Sequence, residues 1–210
     1  MLLDTELEKV NASENVKSRP SWDEYYLAMS YVVAQRSFDP SSKCGCVLVS
    51  KDGRVLSTGY NGPLKGSIDE AIPLTRPTKY YHFLHGEENA LLAYNGSYQD
   101  IQGSTAYVTG MPCHKCLRML IQKGIKRIVI GCNHTALCTQ NDEDAKAKEI
   151  MIYKWEDGLG LKYTVLPSEC HVEGYKAIPR VEIKEIGVDM IKGVLNKTNA
   201  YIDFKNPPKG

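Results

Sequence analysis

The sequence predicts an α/β protein in which helices flank a central mixed sheet of five strands. Short runs of apolar and β-branched residues recur along the chain at strand length, and segments with helical periodicity separate most of them. After a first helix, two strands are predicted, and three helix–strand units follow. This alternation is typical of a layered α/β domain.

A helix is predicted to begin after Ser21. Ser21 and Glu24 have the spacing of a capping box, in which their side chains satisfy free backbone N–H groups at the helix start. Asp39-Pro40 is expected to close this segment. The apolar stripe assigned to the helix consists of Trp22, Tyr26, Met29 and Val33.

A β-hairpin is predicted next, because Asp52-Gly53 separates strand-like runs at 44–50 and 54–60. Residues 61–84, rich in glycine and proline, are predicted to be irregular, and a connection this long is often functional. The later elements are expected to be helices at 85–94, 113–123 and 142–155, strands at 105–109, 127–131 and 162–166, and a short strand followed by a helix within 181–195.

The chain is expected to hold one main domain, since 210 residues suffice for one well-buried core and not for two ordinary ones. Residues 1–20 are polar and lack strong periodicity, which predicts a flexible N-terminal lead. Residues 21–169 form the predicted domain. Residues 170–210 are interpreted as a C-terminal extension packed on that same domain.

Charge and hydropathy exclude several classes of protein. The 26 basic and 25 acidic side chains nearly cancel, so a nucleic-acid partner is not expected. No apolar run is long enough for a transmembrane helix, and the N-terminus has no secretory signal. A cytoplasmic protein is expected, in the host cytoplasm if a virus encodes it. Seven cysteines, an odd number, favour thiol or metal chemistry over a disulfide framework.

The chemical signal of the sequence is His85-Gly86-Glu87, followed later by Pro112-Cys113-His114-Lys115-Cys116. A catalytic zinc ion takes three nitrogen or sulfur ligands and keeps a fourth position open, and His85, Cys113 and Cys116 supply that number. Both cysteines lie at a predicted helix start, where free N–H groups favour the thiolate. Glu87 is close enough to carry protons without being a ligand.

Other interpretations of the cysteines explain less. A single C-x-x-C also occurs in redox pairs and as half of a zinc ribbon, but no second C-x-x-C is present, and neither alternative uses His85 or Glu87. Cys44 and Cys46 are predicted to be buried apolar thiols. A second, structural zinc is not expected, because its potential ligands match no ordinary spacing: Cys132, His134, Cys138, Cys170 and His171.

Four stretches of the chain carry a resemblance to a known family. They are RPSWDEYYLAMSYVVAQRSFDPSSK, GYNGPLKG, the ENALL that ends the His85 helix, and PCHKCLRMLIQKGIKRIVI. From Arg19 to about Pro167 the sequence resembles the deoxycytidylate (dCMP) deaminases of the zinc-dependent cytidine deaminase superfamily. The resemblance implies a cytidine-deaminase-like three-layer fold around a five-stranded mixed sheet.

The resemblance also implies a reaction, hydrolysis of dCMP to dUMP and ammonia, which supplies thymidylate synthesis. Glu87 would protonate N3 of the cytosine and then the departing amino group, with one Zn²⁺ as cofactor. The residues implied to contact the substrate are Asn61 at the sugar, the Gly86 N–H at the pyrimidine carbonyl, Pro112 beside the base, and Arg36 and Ser37 at the phosphate.

Regulation and assembly are implied in the same way. Many members of this family are homohexamers. They are activated by dCTP, which can bind together with Mg²⁺, and inhibited by dTTP. Gly62, Pro63 and Gly66 are the candidate effector residues. Two departures from the family pattern stand out. Gly86 replaces the usual alanine but still offers its N–H, so the chemistry is expected to survive. His134 and Thr135 replace an aspartate- and tyrosine-containing stretch that helps enclose the nucleotide, which leaves the phosphate-binding mode and the preferred substrate open.

Four functional hypotheses therefore remain at the level of sequence. The leading one is dCMP deamination. The second is deamination of a related nucleotide, dCTP or a 5-substituted dCMP. The third is deamination of a base in single-stranded nucleic acid, which the near-neutral charge disfavours. The fourth is a nucleotide sensor without turnover, which the presence of all three ligands and Glu87 disfavours.

Overall fold

A mixed sheet of seven strands forms the centre of the protein in the computed structural model, which describes residues 19–131, 152–157, 160–165 and 181–196. The strands are β1 (Gly45–Val49), β2 (Val55–Tyr60), β5 (Thr105–Val108), β6 (Arg127–Gly131), β7 (Ile152–Asp157), β8 (Gly160–Val165) and β9 (Val181–Ile186), in the spatial order β2-β1-β5-β6-β9-β8-β7. The helices are α1 (Trp22–Ala34), α2 (Gly86–Ala93), α3 (Tyr98–Ile101), α4 (His114–Gln122) and α5 (Val188–Asn196).

The prediction of a mixed sheet flanked by helices is confirmed. All five predicted strands lie in this one sheet, with β1 antiparallel to β2 and β5, and β6 parallel to both β5 and β9. The strand and helix expected within 181–195 are β9 and α5. Strand β9 lies between β6 and β8, so this part of the predicted extension belongs to the sheet.

The helix predicted over 142–155 is wrong at its C-terminal end. Residues 152–157 form strand β7, which pairs with β8 from Ile152 opposite Val165 to Asp157 opposite Gly160. Asp157-Gly158 is a hairpin signal, and cross-strand pairing outweighs the helical pattern of the preceding residues. Residues 142–151 lie outside the described part of the chain.

Helix α1 begins as predicted. The Glu24 N–H donates to Ser21 Oγ at 3.2 Å, and the Ser21 N–H donates to Glu24 Oε2 at 2.6 Å, which completes the capping box. The helix ends at Ala34, before Asp39-Pro40. The predicted stripe is wrong at Trp22, which is 72% exposed, because the buried face of the helix instead carries smaller residues that let it approach β1.

Two hydrophobic layers enclose the sheet. One contains Leu48, Ala90 and Leu117 and lies between the sheet and helices α2 and α4. The other contains Leu27, Val47 and Ile191 and lies between the opposite face and helices α1 and α5. The fold therefore has three layers, and apolar burial on both faces is its main source of stability.

Helix α2 lies directly against strand β2. A Cβ atom at Gly59 would overlap the backbone of Gly86 and Ala90, so only glycine permits this approach. The segment between them contains a two-stranded pair, β3 (Gly62–Pro63) with β4 (Phe83–Leu84), and short 3₁₀ helices at Asp69–Ala71 and Thr78–Tyr81. Among the described residues, no helix combines the length and apolar character needed to cross a membrane.

Candidate active site

Two helix starts converge on one buried group of ligand atoms. His85 is the N-cap of α2, Cys113 is the N-cap of α4, and Cys116 lies in the first turn of α4. His85 Nδ1 lies 3.5 Å from Cys113 Sγ and 3.4 Å from Cys116 Sγ, and all three ligand atoms lie within 4.8 Å of one another.

These separations fit a zinc ion. Tetrahedral coordination with ordinary zinc–nitrogen and zinc–sulfur bond lengths places the two ligand atoms about 3.6 Å apart. The donor set of one imidazole and two thiolates is also one that zinc prefers, and three protein ligands leave a position open for chemistry. The predicted cofactor, a catalytic Zn²⁺, therefore agrees with the structure.

Hydrogen bonds within the group link the protonation of the three ligands. Hydrogen bonding from Cys116 lowers the pKa of Cys113 to about 4, against the opposing effect of burial and with further help from His85. The hydrogen bond to Cys113 raises the pKa of His85 to about 9. The hydrogen bond with Cys113 and burial raise the pKa of Cys116. Metal binding displaces these protons.

Glu87 lies beside the ligands on the first turn of α2 and is 5% exposed. Burial raises the pKa of its carboxyl group, and the positive charge of His85 partly offsets that effect. A buried carboxylate with a raised pKa is suited to accepting and returning a proton. Its neighbour Glu88 has a different role, because Glu88 Oε2 accepts the His85 N–H at 2.7 Å and fixes the start of the helix.

Gly86 packs against the start of β1. A Cβ atom at this position would lie 3.2 Å from the Cys44 carbonyl oxygen and 3.4 Å from the Gly59 carbonyl oxygen. An alanine would therefore fit only if these neighbours moved by a few tenths of an ångström, which accounts for glycine here. Cys46 is buried as predicted, whereas Cys44 is only partly buried. Burial, followed by the charge of Glu87, raises the pKa of the Cys44 thiol to about 12.

Asn61 lies at the end of β2 and is almost fully buried, with 7% of its surface exposed. Its Oδ1 accepts the Cys44 N–H at 2.7 Å, and its Nδ2 donates to the Ser42 carbonyl at 2.9 Å and to Asp39 Oδ2 at 3.2 Å. Lys79 Nζ donates to both oxygens of Asp39, at 2.7 and 3.0 Å. Sequence reasoning missed Asp39 and Lys79, because neither sits in a pattern that signals a buried charge.

The other residues predicted to contact the substrate lie in two different environments, one buried and one exposed. Pro112 is buried beside Cys113, and the buried Ser37 Oγ accepts the Asp39 N–H at 3.2 Å. Arg36 is exposed, with its guanidinium 6.0 Å from the centre of the Tyr60 ring. It lines a pocket of about 270 Å³ together with Gly62, Pro63 and Gly66. The structure thus groups Arg36 with the candidate effector residues.

Part of the predicted chemistry lies outside the described residues. This holds for the His134–Thr135 segment and for the weak second cluster of cysteines and histidines. Among the residues that the structure describes, His85, Cys113 and Cys116 are the one group of three or more ligand-type side chains close enough to hold a metal ion.

Comparison with known families gives one match that covers more than half of the chain. Residues 20–132 match the family described as the cytidine and deoxycytidylate deaminase zinc-binding region. The matched range contains all three ligand residues and Glu87.

Individual relatives are similar over the same part of the chain. Mouse deoxycytidylate deaminase is 37% identical over 114 residues, which is 51% of this chain and 63% of the mouse protein, and the human enzyme is 36% identical with the same coverage. The chain thus spans less than two thirds of these mammalian relatives. Deoxycytidylate deaminase of Mycobacterium phage D29 is 38% identical over 125 residues, 53% of this chain and 95% of the phage protein.

A crystal structure of dCMP deaminase from the cyanophage S-TIM5 aligns with 53% of this chain and 83% of its own, at 30% identity and a TM-score of 0.44. The family match and the phage relative are consistent with the ligand geometry. On this evidence the chain belongs to the cytidine and deoxycytidylate deaminase family.

Proposed function

We propose that this protein hydrolyses dCMP to dUMP and ammonia at the site formed by His85, Cys113, Cys116 and Glu87. The observation that carries the proposal is the buried Glu87 carboxyl group, which follows His85 in the first turn of α2, beside a group of three ligands that fits catalytic zinc. The relatives named deoxycytidylate deaminase support dCMP over other cytosine compounds, in particular the phage protein that this chain covers almost completely.

The chain's own residues divide the chemical work. Zinc held by the three ligands would act as a Lewis acid that makes water nucleophilic. Glu87 accepts a proton from the water that attacks C4 of the cytosine and delivers a proton to N3. Glu87 then takes the proton of the new C4 hydroxyl group and transfers it to the amino group; the C4–N bond breaks, C4 becomes a carbonyl carbon of dUMP, and ammonia leaves. Proton transfer by a positioned side chain of this kind contributes roughly 10²- to 10⁴-fold to a rate.

Substrate recognition is proposed for residues around this centre. The Gly86 N–H would bind the pyrimidine carbonyl, Pro112 would contact the base, and Asn61 would bind the sugar. Ser37 Oγ accepts one hydrogen bond from the chain and keeps its own proton for a phosphate oxygen. The exposed guanidinium of Arg36 has the planar geometry that suits phosphate.

Regulation is proposed at the pocket beside β3. Lys65 supplies positive charge at this pocket, next to the Arg36 proposed above for the substrate phosphate, and Gly62, Pro63 and Gly66 supply closely approachable backbone. We propose that dCTP, with Mg²⁺, or dTTP binds here, that the active form is a homohexamer, and that the protein works in the cytoplasm, of the host if a virus encodes it. The thiols of Cys44 and Cys46, which form no disulfide, fit such a reducing compartment.

The test of the substrate is ammonia release from dC, dCMP, dCTP, CMP and 5-methyl-dCMP by zinc-loaded protein, with and without dCTP or dTTP. We expect the highest kcat/KM for dCMP. A higher value for dCTP or 5-methyl-dCMP would reassign the substrate, and a zinc-loaded protein inert toward all five would contradict deamination of these free compounds.

A Lys65→Ala variant tests the effector pocket. We expect it to lose most of the response to dCTP and dTTP while its rate without effectors stays unchanged. An unchanged response of this variant to dCTP and dTTP would show that Lys65 does not contribute to effector binding.

A further inference from the structure

A buried ion pair lies behind Asn61. Asp39 and Lys79 are both 3% exposed, and the ammonium group of Lys79 contacts both oxygens of the Asp39 carboxylate. The carboxylate also accepts the Ser41 N–H at 2.8 Å and the Asn61 amide at 3.2 Å. A buried ion pair is costly to form, because both charges lose their hydration, and it contributes little to stability by itself. Its contacts instead fix the geometry of the neighbouring Asn61 side chain.

The contacts of Asn61 allow one orientation of its side chain. Asp39 Oδ2 and the Ser42 carbonyl are both acceptors, so the Asn61 amide nitrogen must face them. The Cys44 N–H is a donor, so the amide oxygen must face it. The two N–H bonds of the amide are therefore used within the protein. The oxygen accepts one hydrogen bond and has capacity for a second. Toward a ligand, Asn61 acts as a hydrogen-bond acceptor and not as a donor.

Asn61 is also connected directly to the zinc-site helix. Its backbone N–H donates to the Cys44 carbonyl at 3.0 Å, and the Gly86 backbone packs against that same carbonyl. The Asn89 side chain on α2 donates to the Tyr60 carbonyl at 2.7 Å, one residue before Asn61. The orientation of the Asn61 amide is thus fixed relative to the residues that surround His85 and Glu87.

We propose that Asp39 and Lys79 are positioning residues that act through Asn61, and that they make the site selective for a nucleotide whose sugar offers a hydroxyl donor. In dCMP that group is the 3′-hydroxyl, the one hydroxyl of the sugar that carries no phosphate. Lys79 neutralises the Asp39 carboxylate, the carboxylate fixes the Asn61 nitrogen, and the Asn61 oxygen accepts the sugar O–H. The inference rests on the proposed function, because it assigns a substrate feature to that same site.

The experiment compares kcat/KM for dCMP with that for its analogue lacking the 3′-hydroxyl, 2′,3′-dideoxycytidine 5′-monophosphate. One hydrogen bond to a neutral hydroxyl gives a preference of about tenfold in the wild-type protein. We expect Asn61→Ala to reduce this preference to about 1. The double variant Asp39→Asn/Lys79→Met, which removes both charges together and leaves no unpaired one, is expected to do the same, mainly through a higher KM for dCMP.

Two further variants separate positioning from general destabilisation. Lys79→Arg keeps the charge and is expected to retain part of the preference. Lys184→Met is the control, because it removes the cation that lies 2.9 Å from a different carboxylate, Asp23. We expect this variant to be less stable but to keep the wild-type preference for dCMP over the dideoxy analogue. Each variant is compared at full zinc content and below its unfolding transition.

The outcomes are distinct. A folded, zinc-loaded double variant that keeps the tenfold preference overturns the inference, as does a wild-type protein that deaminates dCMP and its dideoxy analogue equally. A wild-type protein inert toward dCMP overturns the proposed function instead. In that case the Kd values of dUMP and 2′,3′-dideoxyuridine 5′-monophosphate are measured by calorimetry. A ratio of these Kd values that is about tenfold in the wild-type protein and about 1 in the double variant supports the positioning inference, and equal ratios in the two proteins overturn it.

Discussion

Glu87 differs from its neighbour Glu88 although the two carboxylates are adjacent in sequence. Glu87 points into the buried site, where desolvation raises its pKa, while the Glu88 carboxylate accepts the His85 N–H at the helix start. The structure therefore separates the buried carboxyl group that we propose as proton carrier from a capping residue within one turn. This difference gives the matched pair of substitutions that follows.

Glu87→Gln is expected to retain zinc and lose turnover, because the amide keeps the size of the side chain and cannot carry the proton. We expect kcat to fall by about 10³-fold or more. Glu88→Gln, whose amide oxygen still accepts the His85 N–H, should lose less than about threefold. Zinc content by atomic absorption and single-turnover rates check both, and a Glu87→Gln variant with near-normal kcat would contradict the assigned role.

At this scale the sequence predicts the metal ligands and misses the buried ion pair behind Asn61. His85, Glu87, Cys113 and Cys116 follow from short spacings at predicted helix starts. Asp39 and Lys79 lie 40 positions apart in the chain, and their burial depends on how the segment 61–84 folds back. Local patterns do not contain that information.

The packing of α2 on β2 determines where the zinc site forms. Gly59 faces the backbone of α2 at a distance that leaves no room for a side chain, and His85 and Glu87 sit at the start of that helix. The register of this contact therefore sets the position of His85 and Glu87 relative to α4. A substitution at Gly59 tests this relation without replacing a ligand residue or Glu87.

Gly59→Ala is expected to push α2 away from the sheet, because the added methyl group meets backbone that cannot rotate aside. We expect a loss of about 3 kcal/mol in the free energy of unfolding, together with weaker zinc binding. Gly193→Ala on α5 is the control: no atom lies within 4 Å of the added group, so stability should rise by about 0.5–1 kcal/mol. Urea unfolding and zinc competition with a chelator measure both effects, and wild-type zinc affinity in Gly59→Ala would contradict the account.

The elements themselves were predictable where local signals agree. The capping box of α1 and the Asp52-Gly53 hairpin both appear in the structure. Strand β7 is wrongly predicted as helix, because the pairing of β7 with β8 around the Asp157-Gly158 hairpin signal outweighs the helical pattern of the residues before it. The predicted apolar stripe of α1 is wrong at Trp22, since Gly45 brings β1 close to the small Ser30 and Ala34 rather than to Trp22.

One carboxylate connects four elements across the molecule. Asp23 on α1 accepts two hydrogen bonds of 2.6 Å from Arg127 on β6, one of 2.9 Å from Lys184 on β9 and one of 3.0 Å from the Tyr107 hydroxyl on β5. The sequence gives no indication of this cluster, because its members are 84 to 161 positions from Asp23. The position of β9 beside β6 is equally non-local.

Asp23 is expected to make stability depend on pH. Burial alone would raise the pKa of Asp23, but the hydrogen bonds from Arg127 and Lys184 lower it well below the usual 3.8. The unfolded chain therefore binds this proton at a higher pH than the native protein does. The contribution of Asp23 is fully present above the unfolded pKa, about pH 4, and is lost as pH falls toward the lowered native value.

The matching variant is Asp23→Asn, for which we expect a loss of about 2 kcal/mol at pH 7 that shrinks below pH 4. Free energies of unfolding measured from pH 7 to pH 2.5 check this. A difference between the two proteins that stays constant over that range would show that the lowered pKa does not stabilise the fold.

The most direct test of the central claim, that the His85–Cys113–Cys116 group holds the zinc on which dCMP deamination depends, is a zinc titration of activity. Zinc is removed with a chelator, restored in steps, and dUMP formation from dCMP is measured at each zinc content. We predict activity that is absent without zinc, rises in proportion to metal and reaches its maximum at one ion per chain. Full activity in zinc-free protein, or no dUMP at one zinc per chain, would contradict the account.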